Sequence, residues 1–483
     1  LKILRKHNNT VEILALPGDA DLERGEFLLA SEDSRSLLLQ VIDMEYADIP
    51  GVLEDLLREV SIESMGETRL FDPFNISSLT MIIRDSRIIL TKIRAVIENG
   101  RLSMGKIWMP SRFTARLEKV SVNTVLSMLG GKPNIPILVG KTCDEEFYID
   151  AMELEGKLTI ITGKKESGKS HLAKILSTEL AINGGRVVVL DINGEYVNLG
   201  RYRFGKRHPI GEKIVVLEPA KNFRVGISDV DLSVLLDILD HVYGTPITSL
   251  REFARIWNTL KSRGTVSLHE LINAVGRFQM NEAVREALLS RLMSLINSGF
   301  FVDDEGDGLT DIFLDHKDGL LLVIDLSRVA PHLRRVVVEY LLSRLNALLF
   351  SGTIQPVFLF AEEAHLYLRN TYWEDIVTRM RHIGISPVFI TNQPDTIPEM
   401  IYRQADNIFL FNFTNDADLE AIAKYSHVDS DTIKKISPSL QRGQAMVIGR
   451  VAYGVPVILN VKDSELDMRG ETKLFFKARQ TNY

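Results

Sequence analysis

Leu158-Thr159-Ile160-Ile161-Thr162-Gly163-Lys164-Lys165-Glu166-Ser167-Gly168-Lys169-Ser170 is the stretch that decides the fold of this chain. Residues 163–170 fit the spacing of a phosphate-binding loop: Gly, four residues, then Gly-Lys-Ser. An apolar, strand-like run leads in, and a helix-like run from His171 to Leu180 leads out. Glycines are needed because the backbone must curl until several N–H groups face one anion, a geometry that side chains would obstruct. The loop residues Gly163, Lys164, Lys165, Glu166, Ser167, Gly168, Lys169 and Ser170, with His171 at the helix start, are therefore expected to hold ATP. Lys169 is expected at the β- and γ-phosphates and Ser170 on Mg²⁺, with the positive end of the following helix behind them. His171 reads as a helix-start residue rather than a catalyst. The chain reads as a P-loop ATPase.

Outward from this stretch, short apolar runs alternate with longer helical stretches from about residue 130, the pattern of a parallel α/β sheet. The runs are Leu158–Ile161, Val187–Leu190, Leu320–Ile324, Val357–Phe360, Val388–Ile390 and Ile408–Phe411. Runs so uniformly apolar predict strands covered on both faces. A segment at 229–304 carries helix-period positions (Leu232, Leu235, Leu236, Leu239; Val284, Leu288, Leu292, Leu295) and reads as a helical insertion. Residues 1–125 hold short Val-, Ile- and Leu-rich runs between turn signals, among them 37–42, 81–83 and 88–90. They predict a small N-terminal β-barrel domain with one helix near 51–60. The core is expected over 126–228 and 305–462, and a basic, aromatic tail over 463–483.

Val357-Phe358-Leu359-Phe360-Ala361-Glu362-Glu363-Ala364-His365 is an apolar strand ending in paired carboxylates. The carboxyl edge of such a sheet faces the nucleotide, so Glu362 is assigned to the metal and Glu363 to the attacking water. Asp191, at the end of the second run, and Glu195 are candidates to support Mg²⁺ or water, with a turn around Asn193-Gly194 as the competing reading. Thr391-Asn392-Gln393 follows another strand and offers the amide of Asn392 or Gln393 as a γ-phosphate sensor, with a plain loop amide as the competing reading. Arg379 and Arg381 end the helix before that strand. Such arginines turn back into their own site with difficulty, but in a ring they can enter a neighbour's.

The chain has 483 residues and a net charge of −7, so attraction to DNA requires a local concentration of Lys and Arg. Arg201-Tyr202-Arg203-Phe204-Gly205-Lys206-Arg207 supplies one candidate and Arg369 another. The single cysteine, Cys143, permits no intrachain disulfide and reads as a lone buried thiol. No apolar stretch is long enough for a membrane span, and Leu1-Lys2-Ile3-Leu4-Arg5-Lys6 lacks the apolar core of a secretory signal, so a cytoplasmic location is expected.

Taken together, the phosphate loop, Asp191-Ile192-Asn193-Gly194-Glu195-Tyr196, Glu362-Glu363-Ala364-His365 and Arg381-His382-Ile383-Gly384-Ile385 leading to Thr391-Asn392-Gln393 resemble the HerA family of DNA translocases, within the group that includes FtsK-type pumps. Ile137-Leu138-Val139-Gly140 before the first core strand belongs to the same resemblance. It implies a RecA-like core and a homohexameric ring that hydrolyses ATP between subunits. It further implies that the ring drives duplex DNA through its centre, with a NurA-type nuclease in end resection and break repair, and with the 463–483 tail as an intersubunit brace. Lys169, Ser170, Glu362, Glu363, Gln393 and Arg381 carry over as active-site residues. Glu362 departs from the pattern, which commonly has Asp there. The alternative reading is a secretion- or conjugation-type motor acting on protein or a membrane complex.

Overall fold

A computed structural model describes residues 1–47, 85–98, 101–103, 108–303, 306–366, 373–426 and 428–468. The chain divides into two compact units. One comprises residues 134–140, 148–411 and the segment from Val461 on; the other comprises 1–133, 141–147 and 412–460.

The first unit is built on seven strands: β1 Leu158–Thr162, β2 Arg186–Asp191, β3 Ile214–Leu217, β4 Leu320–Asp325, β5 Val357–Ala361, β6 Ile385–Thr391 and β7 Ala405–Leu410. Every neighbouring pair is parallel, in the order β3-β4-β2-β5-β6-β1-β7. Each residue of β1, β2, β5 and β6 is buried, the burial that uniformly apolar runs require of strands covered on both faces. Six of the seven strands lie on the runs named above. The seventh, β3, is only four residues, Ile214-Val215-Val216-Leu217, between Lys213 and Glu218, and its pairing with β4 is what makes it a strand.

Register fixes where the chemistry sits. Thr162 lies opposite Thr391, Phe389 opposite Ala361, Ala361 opposite Leu190, and Asp191 opposite Asp325. The carboxyl ends of β1, β6, β5, β2 and β4 therefore line one edge, the edge at which open parallel sheets bind ligands. Helix α1 (Lys169–Ile182) leaves the phosphate loop directly, helix α2 (Pro331–Phe350) connects β4 to β5, and helix α3 (Trp373–Ile383) precedes β6. Pro331 opens α2 at a position where its missing N–H costs nothing. Between β3 and β4 stand helices Leu232–Asp237, Ile247–Arg263, Leu268–Arg277 and Glu282–Asn297, where the sequence predicts helix. Leu235, Leu239, Phe253, Trp257, Leu288, Leu292 and Leu295 are buried among them.

In the second unit, strands Lys2–His7, Thr10–Ala15, Arg87–Glu98, Arg35–Tyr46, Phe27–Glu32 and Arg116–Val120 form an antiparallel sheet in that spatial order, with Arg101–Ser103 paired to Arg87–Glu98. Ile3, Val11, Ile13, Leu28, Leu37, Leu39, Ile89 and Val96 make its core. The run at 81–83 and the helix near 51–60 lie outside the described residues. Helices Asp416–Tyr425 and Ser430–Ile436 group here, whereas the sequence pattern runs the core on to 462. Long-range charge pairs join them to the antiparallel sheet: Asp429 meets Arg94 at 2.9 Å and Lys92 at 3.6 Å, and Lys435 meets Asp43 at 3.0 Å. Cys143 corrects the sequence reading, because it is exposed. It occupies the turn between strands Pro136–Thr142 and Glu145–Asp150 with φ of 52°, and its Sγ approaches Glu26 Oε1 at 3.5 Å. Among the described residues no helix is long and apolar enough to cross a membrane.

Candidate nucleotide-binding site

The phosphate loop is shaped by its glycines and by one strained residue. Gly163 has no room for a side chain, since a Cβ there would lie 2.4 Å from Phe411 Cβ and 2.9 Å from Ser167 Oγ. Gly168 takes φ of 119° at the cap of α1, and Glu166 takes φ of 64°. Lys164, Lys165 and Glu166 face solvent, while Ser167 and Lys169 are buried. Lys169 donates from Nζ to the Lys164 carbonyl at 2.8 Å. Burial pushes the Lys169 ammonium down, and the charges of Glu363, Glu362 and Glu195 oppose that shift. Ser170 lies in the first turn of α1, half-buried. His171 binds away from the loop, its Nε2 2.9 Å from the Lys462 carbonyl, in keeping with a helix-start role.

Glu362 follows β5 and is 3% exposed. Tyr196 donates its hydroxyl to Glu362 Oε1 at 2.6 Å. Burial pushes the Glu362 carboxyl up to about 7, opposed by the Tyr196 hydrogen bond and assisted by Glu195 and Asp191. Glu363 takes φ of 48°, an uncommon backbone state for a residue with a Cβ. Its Oε2 is buried, lies 3.4 Å from His365 Nδ1 and makes no hydrogen bond. His365 Nδ1 in turn is 3.2 Å from Thr391 Oγ1, which ties the end of β5 to the end of β6.

Asp191 and Glu195 take parts the sequence left open. Asp191 accepts from the N–H groups of Gly194, Glu195 and Tyr196 at 2.8, 3.0 and 2.8 Å, using both of its oxygens. It shapes the turn, which is the competing reading of that stretch. Glu195 accepts from Lys174 Nζ at 2.6 Å, and Lys174, on α1, is 3% exposed. After β6, the Gln393 N–H donates to Thr391 Oγ1 at 3.0 Å, the Gln393 side chain faces solvent, and Asn392 Oδ1 is buried without a hydrogen bond.

Ten buried side-chain polar atoms among the described residues lack a hydrogen bond, and four of them, on Thr162, Ser167, Glu363 and Asn392, belong to this one edge. Buried polar groups are ordinarily paired, and leaving one unpaired costs about 1–3 kcal/mol, so this concentration marks a place built for a polar ligand.

The remaining candidates lie elsewhere. Arg381 donates to the Gly156 carbonyl at 3.2 Å and to Asp406 Oδ1 at 3.4 Å. Gly156 precedes β1, and Asp406 is at the start of β7, so Arg381 sits on the amino edge of the sheet, opposite its own phosphate loop. Arg379 is exposed on the same helix. Arg201 pairs with Arg207 as a small antiparallel bridge, closed by Tyr202 N–H to the Lys206 carbonyl at 2.8 Å. Arg201, Arg203, Phe204, Lys206 and Arg207 are exposed, although Arg203 is ion-paired with Asp463. Arg369 lies outside the described residues. Sequence reasoning missed Tyr196 and Lys174; the first sits in a motif already singled out, while the second is tied to that motif only through its folded-state ion pair with Glu195.

Residues 139–345 match the family model described as "Helicase HerA, central domain". The DNA double-strand break repair helicase HerA of Saccharolobus solfataricus is 22% identical over 378 residues, 71% of this chain and 72% of that protein. The protein of the same name from Pyrococcus furiosus is 22% identical over 470 residues, covering 82% and 83%. Among solved structures, VirB4 of Thermoanaerobacter pseudethanolicus superposes with a TM-score of 0.54 at 14% identity, over 70% of this chain and 99% of that one. The plasmid coupling protein TrwB with a non-hydrolysable ATP analogue gives 0.51 at 14% identity, over 74% and 95%, so the fold is shared with both. Residues 139–345 thus resemble a HerA central domain, the phosphate loop lies at the carboxyl edge of a parallel sheet, and the chain is similar to HerA helicases over most of its length.

Proposed function

We propose that this protein is an ATP-driven motor that moves double-stranded DNA through a homohexameric ring. The observation that carries the nucleotide half of this reading is the cluster of four buried polar atoms without a hydrogen bond around the phosphate loop and the ends of β5 and β6. The DNA half rests on the HerA relatives, whose names describe break-repair helicases.

In this reading the loop N–H groups and Lys169 bind the phosphates, Lys169 exchanging the Lys164 carbonyl for a phosphate oxygen. Ser170 and Glu362 would hold Mg²⁺, which would supply positive charge to the phosphates. One hydroxyl and one carboxylate form a donor set that suits a cation keeping phosphate and water ligands. Glu363 Oε2 accepts the proton of the attacking water, Asn392 and Gln393 orient groups at the γ-phosphate, and Arg381 enters the site of the neighbouring copy. Asp191, with both oxygens engaged by backbone N–H groups, is assigned to loop shape rather than to metal. Arg201, Lys206 and Arg207 grip the phosphate backbone without sequence preference. A NurA-type nuclease partner and a cytoplasmic setting complete the proposal.

The test is ATP-dependent displacement of a roadblock bound to duplex DNA, with Glu363→Gln as the inactive control. If the wild type hydrolyses ATP yet never displaces the block, alone or with a nuclease, the DNA-motor reading fails. Stimulation of turnover by unfolded protein rather than by duplex DNA would favour the secretion- or conjugation-type motor, whose fold VirB4 and TrwB share.

A further inference from the structure

We infer that Tyr196 and Lys174 are positioning residues that set the Glu362 carboxylate for Mg²⁺ and tie it to the phosphate-loop helix. The inference rests on the proposed ATPase reading and deepens it.

Tyr196 is fully buried, and its hydroxyl donates to Glu362 Oε1 at 2.6 Å. Full burial confines the phenol, and its backbone N–H donates to Asp191 Oδ2 at 2.8 Å, in a turn whose two preceding N–H groups Asp191 also holds. Glu195, next in chain, receives Lys174 Nζ at 2.6 Å, and the same ammonium donates to the Met468 carbonyl at 2.9 Å and lies 5.7 Å from the Tyr196 ring centroid. Lys174 sits on α1 one helical turn beyond Ser170, so it shares a face with the hydroxyl proposed for Mg²⁺. The two proposed metal donors, Ser170 and Glu362, are therefore connected through α1, Lys174, Glu195 and Tyr196 without passing through the nucleotide. Glu is one methylene longer than the Asp common at this strand end, and a longer side chain has an extra rotatable bond to fix. A phenol donating to one carboxylate oxygen supplies that constraint. Partners of metal-binding carboxylates that hold them in orientation typically alter metal affinity or activity by about 10–100-fold when removed.

The experiment uses the full chain and a fluorescent ATP analogue, titrated with and without Mg²⁺, alongside steady-state hydrolysis over a Mg²⁺ series. Tyr196→Phe removes only the hydroxyl. It is expected to bind the Mg²⁺-free analogue within about twofold of wild type, to lose about tenfold of the affinity that Mg²⁺ adds, and to need correspondingly more Mg²⁺ for half-maximal turnover. Lys174→Arg, which keeps the cation, is expected to stay near wild type, whereas Lys174→Met is expected to follow Tyr196→Phe. An unchanged Mg²⁺ dependence of analogue binding in folded Tyr196→Phe, whatever its turnover, would overturn the inference. Wild-type protein that binds Mg²⁺-analogue but does not hydrolyse ATP would instead overturn the ATPase reading, leaving the Mg²⁺-binding comparison intact.

Discussion

Removing Arg381 separates action within a subunit from action across a boundary, because the two predict very different losses. Its guanidinium is anchored at the Gly156 carbonyl and Asp406, at the start of β1 and β7, while the phosphate loop follows the far end of β1. Five strand residues at about 3.3 Å each put the anchor about 17 Å from the phosphates of the same subunit. At that distance two unit charges in water interact by only about 0.2 kcal/mol, and the separation is roughly twice the Debye length of about 8 Å at physiological salt. Acting on its own site, Arg381→Ala would change turnover by less than about twofold. Acting as an arginine finger on a neighbour, it would lower turnover by about 10³-fold or more. The assay is steady-state ATP hydrolysis by Arg381→Ala, by Glu363→Gln, and by the two mixed before assembly. Mixed rings contain interfaces with one intact Glu363 and one intact Arg381, so partial recovery is expected where neither variant alone is active. A loss below twofold, or no recovery in assemblies verified as mixed, would refute the reasoning.

Other substitutions test the remaining assignments. Lys169→Ala deletes the buried cation of the phosphate loop and is expected to abolish binding of a fluorescent ATP analogue; near-wild-type affinity would remove this loop from the site. Glu363→Gln should retain Mg²⁺-nucleotide while hydrolysis falls by about 10²–10⁴-fold, as expected for loss of a general base, and undiminished turnover would transfer the role to another acid. Neutralising Arg201, Lys206 and Arg207 together should flatten the log-log salt dependence of duplex binding by about 0.9 for each phosphate that is no longer neutralised, while basal ATP turnover persists; an unchanged slope would take this hairpin out of the DNA path. In the other unit, Arg94 and Thr432 hold the Asp429 carboxyl below its ordinary range against the opposing effect of burial. A folded pKa below the unfolded value means that the contribution is complete above the unfolded pKa of about 3.9 and is lost as pH falls through the folded value. Asp429→Asn is accordingly expected to cost about 2 kcal/mol in denaturant titrations at pH 7, discounted from the cost for a fully buried pair because Asp429 is partly exposed, with the difference narrowing below about pH 4. A constant difference across that range would refute the charge assignment.

The sequence by itself determined the nucleotide end of this protein. Gly163, Gly168, Lys169 and Ser170 are recognisable because a backbone curled around an anion tolerates few residue types at fixed spacing. Strands β1, β2 and β5 were legible because burial on both faces demands continuous apolar runs. Glu362 and Glu363 stood out as charges at the end of such a run. What remained for the tertiary structure was whatever depends on lateral order and register, which local patterns do not encode. The four-residue β3 is a strand only because β4 is beside it. The pairing of Tyr196 with Glu362 joins the loop after β2 to the end of β5, strands that are neighbours in the sheet but 166 positions apart in the chain. Asp191 could be read from sequence as a metal ligand or a turn residue, and the three backbone N–H groups it accepts from have directions that depend on the folded turn. Arg381 was identifiable as an arginine at a helix end. Its place on the edge away from its own phosphates follows from the parallel direction of β1, β6 and β7, and that direction is a property of the assembled sheet.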